Sequence, residues 1–326
     1  MQSLRKLLVH VGCAMALAAT GAATAVAQDY PARPIQIVVP YSAGGGAEVA
    51  ARMVGNALSK ALNQSVIVEA RPGGATVPGT THVARSAPDG YTLLLTGGSS
   101  MVLVPLTFQG TLPYDPAKDF EPIGMVSRIP LFIAVPASSP YQTLDDLLKD
   151  AKARPGAVSY GHNGVGSLAH LAGELLAQRA GVQLNAIPYK SFSVAAPDLA
   201  TGRVDMLMTD LAGINPLLQD KSVRLLGVTS TERSPFREDV PTVAESGFPG
   251  YSMEVWLAIF APAGTPKDTV QLLTRQVSET LKTPEAVEAL AKLGHIADPS
   301  GGDVVKQRIQ NETQSLKPIV GNLGLK

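Results

Sequence analysis

Cysteine is nearly absent from this chain. The one cysteine among 326 residues, Cys13, lies in an N-terminal segment with the marks of export. Arg5 and Lys6 give that segment a basic start, Leu7 to Ala19 is mostly apolar, and Ala25-Val26-Ala27 forms an A-x-A site. The pattern predicts a signal peptide over 1–27, and its apolar run, broken by His10, is short for a membrane anchor. His10-Val11-Gly12 ahead of Cys13 is a poor lipoprotein signal. The mature chain therefore carries no disulfide, no thiolate catalyst and no cysteine metal site.

A surplus of positive charge is missing too. The chain has 27 basic and 27 acidic residues, and losing Arg5 and Lys6 leaves a net charge near −2. Nothing here builds the basic face that nucleic acid requires. No second run is long and apolar enough to span a bilayer. There is no internal repeat of about 20–50 residues and no low-complexity tract.

What is present is material for large cores, with 45% hydrophobic and 17% charged residues. The length of the exported chain suggests two domains. Its organising stretch is Ile35 to Glu48. Ile35, Ile37, Val38 and Val39 read as a buried strand, Gly44, Gly45 and Gly46 as a loop, and Val49, Met53, Ala57 and Leu58 as one face of a helix. Glycine lets the backbone approach a ligand, and the free N–H groups of a first helical turn attract an anion. A tight strand-to-helix turn with no ligand is the plainer alternative. Val66 to Glu69 ends in Arg71-Pro72-Gly73-Gly74 before a helical stretch near Thr80 to Ser86, and Tyr91 to Thr96 ends in Gly97-Gly98-Ser99-Ser100. Three strands thus end in small-residue loops at one expected sheet edge, where ligands of parallel sheets sit.

A second unit starts near Arg128. Strands at Leu131–Val135, Val158–Tyr160, Leu184–Ile187, Val204–Met208 and Arg224–Thr229 are interleaved with helices at Thr143–Ala153, from Ser167 through Gln178, and at Ser193–Thr201. This alternation predicts a parallel-rich sheet with flanking helices. Ser234 to Tyr251 reads as a linker, Trp256 to Ala261 as a strand, and the rest as three helices that pack back on the first sheet. The expected division is 28–127 plus 250–326 in lobe I and 128–249 in lobe II.

No Gly-Lys-Ser/Thr follows the glycines, so the first loop is not a phosphate-binding P-loop. Gly164-Val165-Gly166-Ser167-Leu168-Ala169 is formally G-x-G-x-x-A, but Asn185, Pro188 and Tyr189 stand where a dinucleotide site wants an acid. Ser167 lacks a nucleophile-elbow setting and reads as a helix cap able to bind a carboxylate. His162 and His170 are too few for a metal site. His162, inside the glycine-rich loop, is a ligand candidate, and His170 a packed core histidine. Thr209 could donate to an anion. Asp210 could cap the next turn or fix a ligand hydroxyl, amine or water.

Taken together, Tyr30-Pro31-Ala32-Arg33-Pro34-Ile35, VVPYSAGGGAE, Arg71-Pro72-Gly73-Gly74, Pro88-Asp89-Gly90-Tyr91-Thr92-Leu93, Gly166-Ser167-Leu168-Ala169-His170, Pro188-Tyr189-Lys190, Asp239-Val240-Pro241-Thr242 and Ala261-Pro262-Ala263-Gly264-Thr265-Pro266 resemble the Bug-type, TctC-like periplasmic substrate-binding proteins of tripartite tricarboxylate transporters. The resemblance implies an α/β, two-lobed Venus flytrap fold, each lobe a parallel-rich sheet with flanking helices, that closes on a small carboxylate. It implies ligand contacts from Ser42, Ala43, Gly44, Gly45, Ala47 and Glu48, from Gly73, Gly74, Ala75 and Thr76, and from His162, Asn163, Gly164 and Ser167. Ser99, Phe192, Thr209 and Asp210 complete the candidate set. It also implies a periplasmic monomer that is no enzyme, has no cofactor or metal, and serves an integral membrane permease. Ala47-Glu48 stands where the family usually has Thr or Ser then Asp, Phe192 replaces a small residue, and Thr209 replaces a common Asp. These departures point to a dicarboxylate or an aromatic acid with an apolar body. The alternatives are an exported hydrolase acting on a small acid or ester, which lacks a recognisable nucleophile with its base, and a ligand-binding sensory module.

Overall fold

The computed structural model describes residues 30–108 and 110–322, so the expected signal segment lies outside the described residues. The chain divides into two units, Met1–Ala32 and Arg33–Lys326. Of the first, only residues 30–32 are described, in neither helix nor strand. Everything below concerns the second.

The apolar run at Ile35 becomes β1 (Ile35–Val39), buried at every position but Gln36. It pairs in parallel with β2 (Val66–Ala70) and β3 (Thr92–Gly97). Helix α1 (Gly46–Leu62) turns Ala50, Ala51, Val54 and Leu58 inward and stops at Asn63, whose left-handed φ of 49° closes the last turn. Gly55 of α1 packs close to β2, since a Cβ there would stand 3.3 Å from Val66 Cγ1. Helix α2 (Val77–Ala84) leads toward β3, and after β3 a π-helical turn, Ser99–Leu103, runs into the short α3 (Val104–Thr107).

Next comes β4 (Phe120–Pro130), the longest strand among the described residues and one the sequence pattern does not show. Its two prolines, Gly124 and the charges of Glu121 and Arg128 hide any apolar alternation. It holds its place because β10 (Glu254–Pro262) and the short β11 (Ile296–Ala297) pair with it on either side. The first sheet has the order β11-β4-β10-β3-β1-β2.

The second sheet contains β5 (Phe132–Pro136), β6 (Ser159–His162), β7 (Asn185–Pro188), β8 (Met206–Thr209) and β9 (Val223–Val228), in the order β7-β6-β8-β5-β9. Its helices are α4 (Leu144–Ala153), opened by a capping box between Thr143 and Asp146, α5 (Leu168–Ala180), α6 (Phe192–Ala200) and α7 (Leu211–Gln219). The tail adds α8 (Lys267–Leu281), α9 (Pro284–Ala291) and α10 (Gly302–Asn322), and both α8 and α10 pack on β4.

The result is a two-lobed α/β fold with two mixed sheets. Each keeps a parallel trio, β2-β1-β3 and β7-β6-β8, extended by antiparallel strands. The mixing follows from connectivity. β4 passes directly into β5 and β10 comes back from the second sheet without a crossover helix, the connection that parallel neighbours usually require. Ser234 to Tyr251 is more than a linker. Val228 and Thr242 form a parallel bridge, with Val240 and Val243 buried beside it.

Where the chain changes sheets, one hydroxyl ties the two passages. Thr229 is fully buried; its N–H donates to Leu131 O at 2.9 Å and its Oγ1 accepts from Leu131 N at 3.1 Å. Its carbonyl accepts from Met253 N at 2.8 Å, and its hydroxyl reaches Met253 O.

Candidate functional site

A cavity of about 620 Å³ opens where loops from the two sheets face each other. That volume lies in the usual range for small-molecule sites. Tyr41, just past β1, Ala75 and Thr76, past β2, and Gly98 and Ser99, past β3, supply one wall. The loop Asn163 to Leu168, between β6 and α5, supplies the opposite wall. Leu103, Val104 and Phe108 give an apolar side, and Glu254, Val255 and Trp256 of β10 with Glu312 of α10 complete the lining.

The first wall rests on a chain of hydroxyls. Tyr41 OH lies 3.0 Å from Thr96 Oγ1 and 2.6 Å from Ser99 Oγ. Thr96 Oγ1 is 2.6 Å from Ser100 Oγ, which donates to Thr76 Oγ1 at 2.8 Å. Tyr114 OH, its pKa pushed up by burial, donates to Ser100 O at 2.7 Å. Above this chain, Ala75 and Thr76 hold φ of 52° and 73°. Left-handed backbone at two successive non-glycine residues is costly and is retained where surrounding structure enforces it.

The opposite wall is held from behind by two histidines. Buried His162 sets its Nδ1 2.7 Å from Gly164 O, and Gly166 N donates to His170 Nδ1 at 3.1 Å. Burial pushes the His162 pKa down to about 4, helped by the neighbouring His170, and burial lowers that of His170 too. Both rings are neutral at pH 7. Gly164 and Gly166, with φ of 123° and 75°, give the loop a path closed to other residues. Ser167 caps α5, its Oγ accepting from His170 N at 3.2 Å. That leaves the Ser167 hydroxyl proton for another acceptor. The His170 ring nitrogen that accepts from Gly166 is not engaged with the Ser167 hydroxyl.

Of the residues expected from sequence, Ala75, Thr76, Ser99, Asn163, Gly164 and Ser167 line the cavity together. The first glycine loop contributes through Tyr41. Ser42, Ala43, Gly44 and Gly45 are exposed and, with Ala47 and Glu48, stand outside the lining. Glu48 closes its own loop, its carboxylate accepting from Gly44 N at 2.5 Å and from Arg52 Nε at 3.0 Å. These bonds, the Gly44 amide first, hold its pKa below the ordinary carboxylate value. Gly73 and Gly74 are exposed beside the wall, and His162 lies behind it. Phe192, Thr209 and Asp210 gather under α7 instead. A Cβ on Gly213 would come 2.5 Å from Phe192 Cβ and 3.0 Å from Thr209 Oγ1. Asp210 caps α7 by accepting from Gly213 N at 2.8 Å, and burial raises its pKa. Tyr41 lies in the first strand-end loop but was not singled out by the sequence, whereas Phe108, Glu254, Trp256 and Glu312 carry no local sequence signal of a site and are brought to the cavity by tertiary packing.

Two sheets joined by paired strand passages, with strand-end loops facing across one cavity, make the architecture of a periplasmic solute-binding protein. Residues 50–325 match the tripartite tricarboxylate transporter family receptor, TctC, and the chain belongs to that family. It is 36% identical over 324 residues to BugT of Bordetella pertussis, covering 99% of both chains. Its fold is similar to an R. palustris protein solved with adipate, at 31% identity and a TM-score of 0.75 over 91% of this chain and 99% of that one. It is also similar to MatC from Rhodopseudomonas palustris with bound malate, at 28% identity and a TM-score of 0.71 over 89% and 100% of the two chains. Among the described residues no helix is long and apolar enough to cross a membrane.

Proposed function

We propose that this chain is a periplasmic solute-binding protein, not an enzyme, that closes its two lobes over a small organic carboxylate. As a monomer it delivers that ligand to the integral membrane permease of a tripartite tricarboxylate-type transporter. The lobes are 28–127 with 250–326, and 128–249. The observation that carries the reading is the facing of two strand-end loop sets across one cavity, Ala75-Thr76 with Ser99 against Asn163 to Ser167. A carboxylate there meets hydroxyl donors on one side and the Ser167 hydroxyl with the α5 N-terminus on the other. Unpaired N–H groups and the helix dipole favour an anion at such an end. Closure would bring the outer glycine loops, Ser42 to Glu48 and Gly73 to Gly74, toward the ligand, while Phe192, Thr209 and Asp210 stay packed under α7. Hinge closure around a ligand is a known mode for two-lobed proteins joined by paired strands. The relatives solved with adipate and malate support the ligand class.

The test is titration calorimetry with mono- and dicarboxylates, aliphatic and aromatic. Stoichiometric binding of an acid recovered unchanged is expected. Stabilisation by sugars or cations with no response to any acid would overturn the reading, as would turnover of the acid or its esters.

A further inference from the structure

The charged side chains lining the cavity are the reverse of what an anion site needs. Among the described lining residues there is no Lys, Arg or His, whereas Glu254 and Glu312 both belong to the wall. Their positive partners, Arg128 and Arg308, are not among the lining residues. Glu254, 2% exposed, accepts from Arg128 Nη1 at 3.2 Å and Arg308 Nη2 at 3.4 Å. Glu312 Oε1 accepts from Arg308 Nε at 2.8 Å. Asp298 pairs with Arg128 at 3.1 Å. Three carboxylates thus share two guanidinium groups, so with all three ionised the cluster is one positive charge short.

Glu312 is the member nearest the open space. The Trp256 indole N–H is shared between its oxygens, 2.9 Å from each, and supplies the donor to Oε2. A carboxylate oxygen has room for more than one donor. Gly98, itself part of the wall, leaves that oxygen uncovered, because a Cβ there would stand 3.2 Å from Glu312 Oε2 and 3.1 Å from Trp256 Nε1. Burial, and to a lesser extent the neighbouring Glu254, raise the Glu312 pKa, with Arg308 and Trp256 opposing them. A ligand donor at Oε2 would favour the ionised form in the same way.

The rest of the lining is apolar or neutral. Phe108 and Val165 are 43% and 63% exposed at the cavity, and Leu103, Val104 and Val255 lie alongside. A second carboxylate placed against Glu254 and Glu312 would meet like charge at low dielectric, which is strongly unfavourable. An ammonium or another N–H donor there would complete the charge balance.

We infer that the ligand is an acid with a single carboxylate, an apolar body and an amine or N–H donor at its other end, with Glu312 as the acceptor that selects it. This rests on the carboxylate-binding reading above and narrows it, since it sets dicarboxylates aside.

Matched probes of four and six carbons separate the two ideas: butanoate, succinate and 4-aminobutanoate; hexanoate, adipate and 6-aminohexanoate; and the alkylamines of both lengths. Titration of the full mature protein should show an amino acid binding at least tenfold tighter than the unsubstituted acid of its length, with the diacid weakest. Glu312→Gln should bring the affinity ratio of amino acid to plain acid, measured on the same variant, from tenfold or more down toward one, and a ratio that stays tenfold would overturn the role given to Glu312. A diacid equal to or tighter than the amino acids would overturn the inference and leave the carboxylate reading intact. Binding of the alkylamines alone would overturn the carboxylate reading, and the inference with it. If Glu312→Gln fails to fold, the ranking of the probes on the wild-type protein decides the question without it.

Discussion

The imidazole rings of His162 and His170 stack with centroids 4.3 Å apart and planes 18° from parallel. Neither ring lines the cavity, yet each holds a glycine of the cavity loop, through Gly164 O and Gly166 N. Two rings this close and this buried cannot both carry charge, which makes the loop acid-sensitive.

In the fold the His162 pKa is depressed from 6.5 to about 4, so the unfolded chain takes up the proton first as pH falls. The stabilisation is complete above pH 6.5 and is lost on acidification toward pH 4. His295, also buried and pushed down to about 4, acts in the same direction. Asp210 and Glu312, raised by burial, act in the opposite one. Urea unfolding at pH 7.5 and 5 should therefore show a lower midpoint at pH 5. His162→Gln should shrink the difference between the two midpoints, and an unchanged difference would remove the His162–His170 pair from the account.

Thr229→Val keeps the shape of the side chain and removes the hydroxyl that ties Leu131 to Met253. It leaves the buried Leu131 N–H without its Oγ1 acceptor. The expected loss is about 1–3 kcal/mol of unfolding free energy. Because both strand passages between the sheets meet this hydroxyl, ligand affinity should change along with stability. Denaturant titration and calorimetry on the same sample check both.

Adjacent glycines should respond very differently to alanine. A Cβ at Gly97 would fall 1.7 Å from the Trp256 carbonyl, and rigid backbone cannot yield as a side-chain tip can. Gly97→Ala should push β10 off β3 and cost about 3 kcal/mol or more by overpacking. At Gly98 the obstacles are the ends of the Trp256 and Glu312 side chains, at 3.1 and 3.2 Å. Gly98→Ala should unfold near the wild-type temperature and bind its ligand more weakly. Thermal unfolding with and without ligand distinguishes the two.

Local patterns carried much of the architecture. β1 with its glycine loop and α1, the capped start of α4 at Thr143, and the Ser167 and Asp210 caps are each written within a few neighbouring residues. Such features depend on periodicity and on side chains bonding to nearby backbone, so they survive being read in isolation. β4 was hidden for the converse reason. Its prolines and charges suit no local pattern, and only strands far away in sequence make it a strand. The strands β5, β9 and β10 were legible, and only their antiparallel pairing was not, because connectivity far along the chain sets its direction.

The site divides along that line. Sequence by itself determined that three strand ends of one sheet and a glycine-rich loop of another would carry small residues able to bare backbone to a ligand. Tertiary structure decided which of them reach the cavity. It drew Glu48 back onto Gly44 and Arg52, and it gathered Phe192, Thr209 and Asp210 under α7. It also set Trp256 against Glu312 across 56 residues of chain. The physical reason is range. A turn or a cap is settled by neighbours along the chain, whereas the sign of the charge facing a cavity depends on which buried partners neutralise it, and those come from wherever packing brings them.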